Sequence, residues 1–296
     1  MADLVIRPLV AGEEQLFDSL ADPGLVGRAV LGETYAGGDY RPEWTWVALR
    51  DGVVVARAAW WAGRDDPAPL ALDWFDFTDP AAAVALLRAA PLRAEYSILL
   101  PNGWRDDPAV RAQGQARIDA ATAAGMRVLV ERYRYRWTPG CGLPARPGRL
   151  EFRAAPDDAV ILDVLRRIGE GSLDAHTRHV TATRGADAAA QEDLDLLRWM
   201  PSPRDWWQAA YTQGGELVGI TVPARNHTHH VVGFVGVLPG QRGHGYAYDL
   251  LVEATHRLVE VGAEVIVAAT DQGNSPMAAT FARAGYPIEY ERIDLV

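Results

Sequence analysis

Three glycines, one arginine and one histidine crowd into Gly240–Gly245 (GQRGHG), between a run of β-formers and an apolar helical pattern. Glycines let a backbone approach a ligand closely and adopt positive φ. A helix start offers unpaired N–H groups at the positive end of its macrodipole. Arg242 adds a permanent positive charge. Together these make an anion site, with phosphate as the most natural ligand. A P-loop would require Gly-Lys-Ser/Thr, and the chain has no lysine. A dinucleotide fingerprint would require a last glycine where Tyr248 stands. Just upstream, the segment Asn226–His230 holds His227, His229 and His230. Histidine titrates near neutrality, so His229 or His230 could act as a general base. The same histidines also read as an exposed polar hairpin loop.

The elements that must position these groups can be read from periodicity. His230–Pro239 (HHVVGFVGVLP from His229) reads as a buried strand that Pro239 stops. Ala247, Leu250, Leu251, Ala254, Leu258 and Val261 then fall on one helical face, with Gly262 as the stop. The rhythm is repeated across the chain. Strand-ending Arg7 and Arg153 each precede an amphipathic helix. Asp51-Gly52 and Gly214-Gly215 each mark a hairpin, and Glu131 and Glu291 sit in matching strands after Gly125 and Gly285. The second half carries an insertion between roughly Gly169 and Trp206. Such self-similarity predicts a tandem repeat of one α/β domain with a mixed sheet covered by helices. The Pro/Gly-rich stretch 138–148 reads as a linker, which gives domains at 1–137 and 149–296.

Arg242-Gly243-His244-Gly245-Tyr246-Ala247 resembles the R/Q-x-x-G-x-G/A signature of the GNAT acyltransferase superfamily. Val237-Leu238-Pro239 looks like that family's strand end, and Asn274–Tyr286 (NSPMAATFARAGY) is similar to its closing helix. The first half matches in topology only: LDWFDFTDPAAAV stands where its signature would be, so that half reads as a degenerate GNAT-like domain. The resemblance implies acetyl-CoA, or another acyl-CoA, as cofactor. It implies that the backbone of Arg242, Gly243, His244, Gly245, Tyr246 and Ala247 holds the pyrophosphate. The strand N–H groups of Val235 and Val237 would pair with pantetheine and polarise the thioester. Asn274 would bind the pantetheine arm, and it also reads as a helix N-cap. The family's general acid is a tyrosine; Phe281 occupies that position, in the cofactor-contacting helix, with Tyr286 and Tyr248 as substitutes. The activity implied is N-acyltransfer to a small-molecule amine, with His229, His230 and Tyr286 as catalytic candidates. The alternative is an acyl-CoA-binding relative without catalysis.

Composition narrows the remaining choices. The net charge of −10 over 296 residues argues against nucleic acid, which needs a basic stripe. The acidic residues Glu192, Asp193 and Asp195 lie on an expected helix and could hold a cationic acceptor, or simply face solvent. The single cysteine, Cys141, permits no internal disulfide. No segment is apolar enough to span a membrane, and no secretory leader pattern opens the chain, so a soluble cytoplasmic protein is expected, with a homodimer possible.

Overall fold

The computed structural model describes residues 3–20, 40–63, 66–226 and 228–296. His227 lies outside the described residues. The Cα packing divides the chain into two compact units, residues 1–131 with 290–296, and residues 132–289.

The first unit contains β1 (Leu4–Pro8), α1 (Glu14–Asp18), β2 (Thr45–Arg50), β3 (Val53–Trp61), β4 (Ala71–Phe77), α2 (Pro80–Ala89), β5 (Glu95–Pro101) and α3 (Pro108–Ala123). The second is built from β6 (Val128–Trp137), β7 (Leu150–Ala154), α4 (Asp158–Gly169), α5 (Ala175–Arg184), α6 (Ala186–Trp199), β8 (Gln208–Thr212), β9 (Leu217–Arg225), β10 (His230–Val237), α7 (Tyr246–Glu260), β11 (Ile266–Asp271) and α8 (Ser275–Arg283). The last strand is β12 (Ile288–Leu295). Strand order in the first unit is β1-β2-β3-β4-β5-β12, and in the second β7-β8-β9-β10-β11-β6. The two orders are the same repeat, and the stretch between Gly169 and Trp206 of the second unit holds α5 and α6.

Compact unit and sequence repeat do not coincide. The closing strand of the first unit comes from the end of the chain, with β12 antiparallel to β5 from Tyr290↔Pro101 to Leu295↔Tyr96. The closing strand of the second unit is β6, which ends the first repeat and pairs with β11 from Asp271↔Arg132 to Ile266↔Trp137. Tyr135 and Trp137 of β6 are buried in one core with Leu251, Leu258, Phe281 and Tyr286. The stretch 138–148 is also fixed to the second unit. Trp137 Nε1 donates to the Gly142 carbonyl at 3.1 Å, and Arg146 bonds Glu253 and Glu260 of α7, each at 2.7 Å.

Helix starts follow capping chemistry. Asp79, Asp107, Asp157, Asp174 and Asn274 cap α2, α3, α4, α5 and α8 with their side chains. α7 begins differently, on Gly245 in the left-handed region (φ +74°), with no side-chain cap. In the second unit, α4 and α6 pack on one face of the sheet around Ile161, Leu165, Leu194 and Ile220. The other face is covered by α7 and α8. Among the described residues, no helix is long and apolar enough to cross a membrane.

Candidate functional site

β10 and β11 run parallel but pair only at His230↔Ile266 and Val231↔Val267. Beyond that point they splay. β10 remains registered on its other side with β9 down to Val237↔Gly219, with one bulge between Val232 and Phe234. Strand N–H groups alternate in direction. The Leu238 N–H donates to Val218 on the β9 side at 2.9 Å, so the N–H groups of Val237 and Val235 face the open gap. Carrying the parallel register forward places Asp271 across the gap, level with Val235 or, allowing for the bulge, Gly236. A Cβ on Gly236 would meet Phe234 and Ile168 at 2.5 and 2.7 Å, so glycine is what lets α4 close onto this strand.

The loop that follows is shaped for an anion. Gly243 (φ +85°) and Gly245 turn the chain into α7. The guanidinium of Arg149 donates to the carbonyls of His244 and Gly245 at 3.0 and 3.3 Å. It also pairs with Asp249, whose carboxylate is buried in the first turn of α7; the Nε contact is 3.1 Å. A trans peptide points its N–H opposite its C=O, so the N–H groups of Gly245 and Tyr246 face away from Arg149. Among the described residues, the amides from Gly243 to Ala247 donate to nothing. Five consecutive unpaired donors at a helix start, with no acidic side chain among them, suit a phosphate. His244 stacks on Tyr246, with centroids 5.5 Å apart.

The first unit shows the contrast. β4 and β5 are also parallel, paired only at Ala71↔Glu95 and Leu72↔Tyr96. Only Thr78 and Asp79 separate β4 from α2, however, and the Asp79 carboxylate already takes the helix-start N–H groups of Ala81 and Ala82 at 3.0 and 3.1 Å. Arg50 pairs with its other oxygen at 2.5 Å. The cradle there is filled by the chain's own anion.

The predicted catalytic residues are spread apart. His229 and His230 sit at the closed end of the wedge. Burial lowers both histidines, aided by Arg134 and Arg136 for His229 and by Arg225 for His230, so both are neutral near pH 7. His229 Nδ1 lies 2.8 Å from the Thr228 hydroxyl, and His230 stacks on Trp206. Tyr286 is buried, its hydroxyl 2.7 Å from that of Thr255, and burial pushes its phenol up. Phe281 is sealed in the same core, stacked on Tyr135 at 4.3 Å. Asn274 accepts from the Met277 N–H at 3.3 Å as the cap of α8. Arg242 turns away from the amide loop altogether, toward the end of α4.

An acidic group gathers instead where β11 ends. Asp271, 2% exposed, accepts the Ala175 N–H at 2.6 Å. Its other oxygen lies 3.0 Å from Arg132 Nε but out of line for a hydrogen bond. Asp174 pairs with Arg132 at 3.4 Å and accepts from the Thr177 N–H. Burial works to raise Asp174, but Arg132 and that N–H outweigh it and hold the group low. Asp193 on α6 behaves oppositely. Burial, reinforced by Asp174 and Glu192, pushes it up to about 7, with His176 opposing. Among the described residues Asp193 has no hydrogen bond or ion pair, whereas Glu192 pairs with Arg184 and Asp195 bonds Gln191. A half-buried carboxylate that titrates near neutrality is a candidate proton acceptor. Only its place in an acidic run marked it in the sequence. Arg149, Arg132, Asp249 and Asp271 carried no spacing signal, because their partners lie far away along the chain.

The sequence profile of the acetyltransferase (GNAT) family matches residues 175–286. In fold, the chain is similar to a tandem GNAT protein from the clavulanic acid biosynthesis pathway, with TM-score 0.53 and 17% identity over 99% of this chain and 98% of that one. It is also similar to a GCN5-related N-acetyltransferase from Sphaerobacter thermophilus, with TM-score 0.51 and 15% identity over 99% and 94%. Among proteins of curated function, none matches this sequence.

Proposed function

Because residues 175–286 carry a domain of the acetyltransferase (GNAT) family within a tandem GNAT fold, we propose that this protein is an acetyl-CoA-dependent N-acetyltransferase acting on a small cationic amine. The observation that carries the reading is the row of unpaired amides, Gly243 to Ala247, at the mouth of a splayed parallel strand pair.

Acetyl-CoA would supply an acyl group on a thiol, which leaves as a thiolate with little need of an acid. The amides of Gly243 to Ala247 hold its pyrophosphate. The Val237 N–H binds the arm, and the Val235 N–H faces the thioester oxygen, where charge develops. Across the gap, Asp271, Asp174 and Asp193 make the surroundings anionic and attract an ammonium. Asp193 takes the proton that the amine must lose before its nitrogen can form the new C–N bond; the C–S bond then breaks. With Phe281 and Tyr286 both in the core, and Tyr248 under the Arg283 guanidinium 3.8 Å from its ring, no phenol is assigned to the leaving thiolate. That same placement favours the second reading, an acyl-CoA-binding protein without turnover.

Two measurements separate these readings. A thermal-shift titration with acetyl-CoA is expected to raise the unfolding midpoint, since a ligand of the native state must stabilise it. No shift at saturation sinks both readings. Thiol release over an amine panel then divides enzyme from sensor. Gly245→Trp is expected to abolish the shift, and retained binding would remove the loop from the site.

A further inference from the structure

The connection between α4 and α5 is tied at its two ends to opposite walls of the wedge. At the α4 end, Arg242 donates to the carbonyls of Ile168 (2.6 Å), Glu170 (2.8 Å) and Gly171 (3.4 Å), while its Nε donates to the Val237 carbonyl at 3.2 Å. At the α5 end, Asp271 holds the Ala175 N–H and Arg132 holds Asp174. Arg242 follows β10, and Asp271 ends β11. The segment Glu170–Asp174 therefore crosses the open mouth between them.

The chemistry of the α4 end explains the choice of arginine. The last carbonyls of a helix lack partners, and the macrodipole favours a cation there. A planar guanidinium can reach several carbonyls at once, which an ammonium cannot do with fixed geometry. All three nitrogens of Arg242 are engaged in this way.

We propose that Arg242 is a positioning residue for the acceptor side of the site: it clasps Glu170–Asp174 across the wedge and so holds Asp174 beside Asp193 and Asp271, rather than binding the cofactor phosphates. This rests on the acyltransfer reading above. The phosphates are left to the backbone amides, which need no side chain.

The test compares Arg242→Gln and Arg242→Lys with the wild type by acetyl-CoA calorimetry and by amide hydrogen exchange of the 169–175 peptide. The exchange of that peptide is expected to quicken about tenfold or more in both variants, as a local clasp opens. The acetyl-CoA dissociation constant is expected to stay within about twofold. For the amine that the thiol-release panel identifies, KM should rise about tenfold while the KM for acetyl-CoA holds. Unchanged exchange overturns the clasp. A loss of acetyl-CoA affinity in Arg242→Gln that Arg242→Lys restores overturns it too, because charge at the phosphates would then be the role. If the wild type itself does not bind acetyl-CoA, the acyltransfer reading falls, and the exchange comparison still judges the clasp. Should Arg242→Gln fail to fold, Arg242→Lys, which keeps the charge, decides by exchange alone.

Discussion

Asp193 shows how much a single environment changes one side chain. Glu192 and Asp195, its neighbours on α6, are exposed and have partners; Asp193 faces inward beside Asp174 and is raised to about 7. An acid raised on folding binds its proton more tightly in the native state. Between its ordinary range and about 7 the folded chain holds a proton that the unfolded chain releases, so stability falls as pH rises through this window and the loss is complete above it. Asp193→Asn should therefore match the wild type in unfolding midpoint near pH 4 and exceed it at pH 8, by about 2–4 °C for each kcal/mol relieved. The same variant should lose about 100-fold in turnover, the usual share of a general base. Wild-type kcat/KM should climb with pH toward about 7 as the carboxylate forms. If turnover survives in Asp193→Asn, the base is elsewhere, and His230 at the wedge apex becomes the next candidate.

At the scale of elements, the loop after β10 and the start of α7 act as one piece because Arg149 ties them. Its guanidinium holds two loop carbonyls, neutralises the buried Asp249 and lies 5.2 Å from the Tyr246 ring. Arg149→Met keeps the stem but leaves Asp249 buried and unpaired. The expected cost is about 1–3 kcal/mol, below that of a fully buried pair because Arg149 is half exposed. The KM for acetyl-CoA should rise about tenfold with kcat little changed, which steady-state kinetics would resolve. An unchanged KM would mean that the loop holds its shape without this tie. The equivalent piece of the first unit, β4 to α2, has no room for such a loop and caps its helix with Asp79.

For the whole molecule, the closing strands matter most. A fragment of residues 149–296 follows the sequence repeat but lacks β6, so it loses Tyr135 and Trp137 from its core and bares the edge of β11. It should be unfolded or aggregate by size-exclusion chromatography and circular dichroism, whereas residues 132–289 should fold. Equal behaviour of the two fragments would show that β6 is dispensable. Calorimetry on the full chain should give about one acetyl-CoA per chain, because Asp79 already takes the amides at the start of α2, the first unit's counterpart of α7; two sites would contradict the role given to Asp79.

The strand–loop–helix around Gly243 and Gly245, the hairpin at Asp51-Gly52 and the repeat itself were legible in the sequence. Each depends on neighbours a few residues apart, where glycine conformation, capping and apolar periodicity act directly. Where Arg242 points, which of Glu192, Asp193 and Asp195 is half-buried, and the enclosure of Phe281 and Tyr286 were decided only by tertiary structure. Those outcomes rest on partners from other strands and helices: Ile168 for Arg242, Asp174 for Asp193, Tyr135 and Thr255 for the two rings. Local pattern sets what a segment can become; burial and charge brought in from distant segments set what its side chains do.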